Sequence, residues 1–355
     1  MTDGTLLDSL NTLGDGRYAP SPSGILHVGN LRTALLAWAY ARSSQRGFLL
    51  RIEDLDGRAR PEFEAAQLSD LSELGIDWDG APIRQSDRVS IYAAITDALS
   101  AQNLTFECYC SRKDLAEAAR APHHELGFYP GKCRDLSTQQ RAERRRSLTG
   151  RAPAIRLRSE AVSVAFTDEN YGSHSGHADD IVLRRGDGTY SYNFVAVVDD
   201  ILGHGTDPSP LIASIFAGSD NAGKSVGDSR CGSGNEKCAD ARVLLTPQVT
   251  QIVRGNDLLS STPRQIYLQK LLGFKPPQYA HVPLVVNHDA VRLSKRDGAV
   301  TLPQLHELGI STSQLVGMFA ESLGFPAVGS AQEFLEVFQP EYMNKEPWVF
   351  TEPNF

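Results

Sequence analysis

The sequence lacks the marks of several protein classes. No apolar run reaches the roughly 18 residues that a membrane-spanning helix requires, and residues 1–11 carry no basic stretch followed by an apolar core. Neither a span nor an export signal is legible, so the expectation is a cytoplasmic protein without membrane contact. Cysteine is scarce, five in 355 residues, and an odd number leaves reduced thiols or a metal site rather than a disulfide framework. Positive charge is not in excess, since the net charge is -8. A uniformly basic nucleic-acid binder is thereby excluded, although a local basic face would suffice for phosphate contact. With 41% hydrophobic and 22% charged residues, the chain has the composition of a folded globular protein long enough for two or three domains.

Its most informative run is Arg17-Tyr18-Ala19-Pro20-Ser21-Pro22-Ser23-Gly24, leading into His27-Val28-Gly29-Asn30. Turn residues stand directly before a helix, because residues 31–41 are rich in Ala and Leu and contain no breaker. A strand at 48–52 follows. Strand, helix and strand in this order predict a parallel α/β unit whose ligand sits at the carboxyl ends of the strands. The acids of Glu53-Asp54-Leu55-Asp56 would face that crevice. Further helices are expected at 62–74, 91–101, 264–272, 312–323 and 331–338, and a solvated basic face at 141–146. Residues 190–200 read as an apolar strand or strand–helix junction ending in two acids.

Between 203 and 246 Gly, Ser, Asp and Pro dominate, which favours a mobile surface insertion over a core element. Residues 218–225 fit the P-loop pattern, and 211–217 before them could pass for a strand. The glycine-rich continuation cannot supply the helix that a P-loop needs. Cys231 and Cys238 in the same stretch read as free thiols.

Three features carry chemistry. Small residues around Ser21 and Gly24 let the backbone approach a ligand, and the helix start near His27 would offer free amides and a favourable dipole to phosphate. Downstream, Arg292-Leu293-Ser294-Lys295-Arg296 places cations on a loop, where an ammonium can follow charge developing on a leaving group. Cys108-x-Cys110 with Tyr129-x-x-x-Cys133 offers three thiolates and one oxygen to a tetrahedral zinc ion. His123 and His124 are rivals for the fourth position.

The first two features together resemble the paired nucleotide signatures of class I aminoacyl-tRNA synthetases, the HIGH and KMSKS elements. The surrounding residues resemble the glutamate-specific branch. This resemblance implies an α/β fold, with a Rossmann-like parallel-sheet catalytic domain, a zinc-binding insertion and a small helical C-terminal subdomain. The halves of the catalytic domain would be residues 14–104 and 181–300, the zinc insertion 105–180 and the helical subdomain 301–355.

It further implies that ATP is a substrate, used with Mg²⁺. His27, Gly29 and Lys295 would serve catalysis, and Asn30, Arg292, Leu293, Ser294 and Arg296 would complete the ATP site. Asn30 stands where the family usually has His; Arg292 and Leu293 replace Lys and Met. L-glutamate would be held by Arg17, Tyr18, Ala19, Pro20 and Ser21, with Glu53 facing its ammonium group and Tyr192 and Arg254 completing the pocket.

The Cys108, Cys110, Tyr129 and Cys133 set resembles the zinc element of a truncated paralogue group of this branch, which joins glutamate to the queuosine base in the anticodon of tRNA(Asp). About 60 residues follow Lys295, too few for the large helical anticodon-binding region of an ordinary glutamyl-tRNA synthetase. The expectation is therefore a monomeric ligase acting on glutamate, ATP and queuosine-bearing tRNA(Asp) without needing tRNA for activation. An ordinary glutamyl-tRNA synthetase and a catalytically silent tRNA-binding paralogue are the alternatives.

Overall fold

The computed structural model describes residues 13–111, 113–115, 129, 131–159, 161–217, 244–293 and 300–350. Strands β1 (Asp15–Tyr18), β2 (Gly47–Ile52) and β3 (Ile83–Arg84) lie parallel in the order β1-β2-β3. Helix α1 (Val28–Ser43) joins the first pair and α2 (Pro61–Glu73) the second; α3 (Val89–Ala101) follows. Next come β4 (Thr105–Cys108) and β5 (Ala154–Leu157), the hairpin β6 (Val162–Asp168) and β7 (Gly172–Ala178), and β8 (Val182–Arg184). Strands β4, β5 and β8 form a small antiparallel sheet. Finally, β9 (Gln251–Gly255) pairs parallel with β10 (Gln278–Val282), which continues to β6.

The two parallel arrays are stitched into one. Asp15 N–H donates to the Gln248 carbonyl and Thr250 N–H to the Asp15 carbonyl, each at 2.9 Å, so the approach to β9 lies beside β1. The order therefore runs outward from β1 through β2 and β3 on one side, and through β9 and β10 on the other. Side chains alternate across each strand, and this sheet separates two cores. Phe48, Leu50 and Ile52 of β2 join one core while Leu49 joins the other. Val253 and Ile252 of β9 divide the same way, as do Ala280 and Tyr279 of β10.

Helix α1 is buried on almost every side, which suits its run of Ala and Leu. It lies in the first core together with residues of Leu302–Glu307, Thr312–Ser322 and Ala331–Val337, the helices of the C-terminal part. β11 (Val285–Val286) and β12 (Trp348–Val349) close that part as a two-stranded parallel ladder. The basic segment is the helix Thr138–Arg146, which has no buried residue. Among the described residues, no helix is long and apolar enough to cross a membrane.

Of the two readings of residues 190–200 the strand–helix junction is the one found: Tyr190 bridges Arg184 and Tyr192–Leu202 is a helix, because burial of its Phe and Val side chains outweighs their local strand preference. One expectation needs correction, because not all of 203–246 is a surface loop. Ser209–Ala217 is a helix, not a strand, and places Leu211 and Ile215, one turn apart, in the second core. The P-loop match, Cys231 and Cys238 lie outside the described residues.

Candidate active site and cysteine cluster

A cleft of about 870 Å³ opens where β1 and β9 end, the point at which the strand order changes direction. Such a switch point is where open α/β sheets hold ligands. Both signature segments reach it: His27, Gly29 and Asn30 line one wall, and Arg292 and Leu293 another. Arg17, Tyr18, Ala19, Pro20, Ser21, Glu53, Tyr192 and Arg254 line it too. Ser294, Lys295 and Arg296 lie outside the described residues. Of the acids at 53–56, only Glu53 reaches the cleft. Asp54 accepts from Ser86, and Asp56 pairs with the exposed Arg58.

The start of α1 departs from expectation, because its amides are not free. His27 caps the helix, its Nδ1 accepting from Gly29 N–H at 3.1 Å and its carbonyl from the Asn30 and Leu31 amides. Val28 N–H donates to the Val300 carbonyl at 3.0 Å. Asn30 completes the cap, with its Oδ1 3.4 Å from His27 N. Gly29 suits the close approach here: a Cβ would stand 3.1 Å from the His27 ring and 3.4 Å from Val285, so the capping ring would have to shift by a few tenths of an ångström. Side chains, rather than a bare helix end, thus face this side of the cleft. Gln67 of α2 holds the preceding turn by donating to the carbonyls of Ser21 and Gly24.

Behind the glutamate-type residues lies a buried ion network that the sequence reading did not resolve. Asp200 accepts from Arg17 Nε at 3.2 Å and from an Arg51 terminal nitrogen at 2.6 Å. Another Arg51 nitrogen donates to Glu53 Oε1 at 3.0 Å. Asp199 accepts from Gln85, Arg88 and Tyr92. Burial pushes the Asp200 carboxyl upward, but Arg51 and Arg17 outweigh it and hold it below the ordinary carboxylate range. For Glu53 and Asp199 burial wins over the neighbouring arginines, and both carboxyls sit above their ordinary values. The signals were present: Arg51 interrupts an apolar strand, and Asp199-Asp200 ends an apolar run.

Arg254 differs from these arginines. It is 4% exposed, yet no carboxylate pairs with it among the described residues. Nε donates to His281 Nε2 at 3.1 Å, one terminal nitrogen to Gln265 at 2.7 Å, and the other to Thr262 at 2.8 Å. Its guanidinium also lies over the Tyr279 ring. A buried cation held only by neutral groups is unbalanced, and a buried charge is costly without a partner. The contacts of Arg254 leave room for an anion as a direct partner.

The cysteine cluster lies apart, where β4 ends. The ligand atoms of Cys108, Cys110 and Cys133 are within 4.8 Å of one another, and Cys110 and Cys133 are 3.6 Å apart. Sulfur ligands of tetrahedral zinc stand about 3.8 Å apart, so the three thiols fit such an ion. The Tyr129 hydroxyl is 3.5 Å from Cys108 Sγ and accepts from Cys133 N–H at 2.9 Å. Hydrogen bonds from Cys110 and Cys133 lower the Cys108 thiol well below its ordinary value. Arg156, over the Tyr129 ring at 3.9 Å, adds positive charge. His123 and His124 lie outside the described residues. Asp179 ties this cluster to the cleft: it accepts from Tyr129 N–H at 2.9 Å and from Arg264 of the helix Thr262–Leu271.

A parallel sheet with a cleft at its switch point, lined by a His-capped helix start and by Arg292 and Leu293, fits the catalytic domain of a class I synthetase. A family model described as tRNA synthetases class I (E and Q), catalytic domain, matches residues 15–208 and 244–352. The chain belongs to that family, and within it to the glutamyl-Q tRNA(Asp) synthetases. It is 47% identical to Glutamyl-Q tRNA(Asp) synthetase of Nocardia farcinica, over 96% of this chain and 94% of that protein. Against Glutamate–tRNA ligase of Listeria welshimeri identity is 32%, over 94% of this chain and 63% of that one. The fold is similar to that of a glutamate-tRNA synthetase from Elizabethkingia anophelis, with a TM-score of 0.69 at 22% identity, covering 94% of this chain and 67% of that one.

Proposed function

We propose that the protein, as a cytoplasmic monomer, activates L-glutamate with ATP and Mg²⁺ to glutamyl-adenylate and pyrophosphate. It then transfers the glutamyl group to the queuosine base in the anticodon of tRNA(Asp). The observation that carries this reading is similarity across nearly the whole length of the Nocardia relative at 47% identity, higher than to the glutamate–tRNA ligase. The charge of the cleft agrees. Arg17, Arg51 and Arg88 are balanced by Glu53, Asp199 and Asp200, whereas Arg254 touches only neutral groups directly, its nearest buried carboxylate, Asp168, standing behind the His281 ring. Glutamate brings one net negative charge at neutral pH; glutamine brings none.

In this reading Arg254 receives the side-chain carboxylate and Glu53 the ammonium group, while Arg17 and Tyr192 close the pocket between them. His27 and Gly29 pack against ATP with Asn30 supporting the cap. Arg292, Leu293, Ser294, Lys295 and Arg296 cover the phosphates, with Lys295 stabilising charge on the departing pyrophosphate. The protein's contribution is positioning and charge, since the acid and the α-phosphate need little else once aligned. Residues 105–180 serve as the insertion in which Cys108, Cys110, Cys133 and Tyr129 hold a structural Zn²⁺; the bound ion would stiffen the surroundings of the cysteines, whose own apolar cluster is small.

Pyrophosphate exchange with glutamate but no tRNA, followed by transfer to tRNA(Asp) with and without queuosine and to tRNA(Glu), tests this reading. Transfer to queuosine-bearing tRNA(Asp) alone is expected. Charging of tRNA(Glu), with activation dependent on it, would favour the ordinary synthetase instead. Absence of exchange would favour the catalytically silent paralogue.

A further inference from the structure

His281 takes no part in the assignments above and does not line the cleft, yet it is fully buried beneath Arg254. Its Nε2 lies 3.1 Å from Arg254 Nε, and an arginine nitrogen can only donate. That nitrogen must therefore be the unprotonated one. The proton belongs on Nδ1, which faces Asp168 Oδ2 at 2.6 Å. Asp168 is itself fixed by the amides of Asn170, Tyr171 and His281. The result is a buried row, Asp168–His281–Arg254, in which a neutral imidazole stands between a carboxylate and a guanidinium.

We propose that His281 is a positioning and specificity-determining residue for the substrate's side-chain carboxylate. It anchors Arg254 without neutralising it, with Asp168 selecting the tautomer that makes this possible. This inference rests on the assignment of glutamate to Arg254. Had Asp168 paired with Arg254 directly, it would have occupied an edge of the guanidinium and screened its charge at contact distance, and a carboxylate would gain little over a carboxamide. The imidazole keeps the acid one ring away. A second-layer acid that fixes a histidine tautomer is a recurring device, and exchanging such an acid for its amide installs the wrong tautomer with the geometry intact.

The arrangement implies a dependence on pH. The groups facing His281 are Arg254 from β9, Asp168 at the end of β6, His174 from β7, Tyr279 stacked beside it in β10, and Thr262, whose Oγ1 is 3.3 Å from Nε2. Burial lowers the imidazole below its ordinary 6.5, Asp168 opposes this, and Arg254 adds to the lowering. Protonation at Nε2 would turn the acceptor into a second donor aimed at Arg254. Glutamate binding should weaken as pH falls below the ordinary imidazole value.

The test is pyrophosphate exchange against glutamate and glutamine concentration from pH 5.5 to 8, for the wild type, His281→Gln, Asp168→Asn and Arg254→Ala, each checked for folding by its thermal melt. His281→Gln keeps an acceptor but cannot titrate. Its KM for glutamate should stay within about threefold of wild type at pH 7.5, and its acid-side rise in KM should shrink or move to lower pH. Asp168→Asn should raise KM about tenfold or more, with a smaller change in kcat, and reduce the preference for glutamate over glutamine. An acid-side rise that neither shrinks nor moves in His281→Gln, or an unchanged KM in folded Asp168→Asn, overturns the proposal. If Asp168→Asn does not fold, the His281→Gln profile decides alone. Failure of the functional reading looks different: the wild type would show no glutamate-dependent exchange, or Arg254→Ala would leave KM unchanged.

Discussion

Replacing Asp200 by Asn changes the shape of the site very little but removes one charge from the most heavily buried ion network in the catalytic domain. Asp200 is 2% exposed and serves two arginines at once. With it gone, Arg17, Arg51 and Arg88 would face only Glu53 and Asp199, and Arg51 Nε is 3.9 Å from the latter. Removing one partner from a buried pair costs about 3–5 kcal/mol, because the other charge stays desolvated. Against a total stability of about 5–15 kcal/mol, that loss is large. At roughly 2 °C per kcal/mol for a chain of this size, the melting temperature should fall by about 6–10 °C.

The sign of the pH dependence follows from the carboxyl's depressed value in the fold. Its stabilisation is present above the unfolded value of about 3.9 and is lost as pH falls through the folded one. The gap between Asp200→Asn and wild type should therefore be widest near neutrality and close in acid. Calorimetry or circular dichroism melts at pH 7.5 and below pH 4 measure both. Asp56→Asn, at the exposed pair with Arg58, is the control, and it should move the melt by no more than about 1 °C. If Asp200→Asn melts like that control at pH 7.5, the network does not have the energetic weight argued for it.

Lys295→Ala should lower the exchange rate constant far more than it raises KM for glutamate; equal effects would count against a role confined to the departing pyrophosphate. Removal of zinc by a chelator, followed by inductively coupled plasma measurement of residual metal, should destabilise the part around Cys108, Cys110 and Cys133, and Cys133→Ser should reproduce this. A protein that retains its melt and its protease resistance after metal loss would refute a structural ion. Asp70 in α2 is raised to about 6 by burial, with Glu73 adding to it, and its Oδ2 has no hydrogen-bond partner. A raised carboxyl contributes stability below its unfolded value and loses it as pH rises through the folded one. Asp70→Asn should accordingly raise the melting temperature at pH 8 but not at pH 4, and a similar change at both would contradict the assignment.

Local signals carried some parts of this protein and not others. The turn from Arg17 to Gly24, the helix after His27 and the strand around Leu50 were legible because composition and breakers act over a few residues. Their order in the chain also placed the cleft at the carboxyl ends of the strands. The free amides expected at His27 were not there, because the histidine's own ring and carbonyl take them. Tyr192–Leu202 is legible only as a strand or a strand–helix junction, since a run of Val and Phe looks like a strand until its burial against other helices is known. The acids at its end signalled something buried, but their partners Arg17 and Arg51 stand 183 and 149 positions away. No window along the sequence contains such a pair. The same holds for Arg254, whose imidazole support lies on the neighbouring strand.

The stitch between Asp15 and the approach to β9 has a consequence for how the protein is made. Gln248 and Asp15 are 233 positions apart, and ribosomes add about 5–20 residues per second. For about 10 to 50 s after β1 emerges, one edge of that strand waits for a partner that has not yet been synthesised. An unpaired edge is a template for association with other chains, and the cleft has only one of its walls. Both hazards end together when β9 docks. The interval is thus one of vulnerability as well as inactivity, and chaperone dependence should track the rate of elongation through the middle of the message.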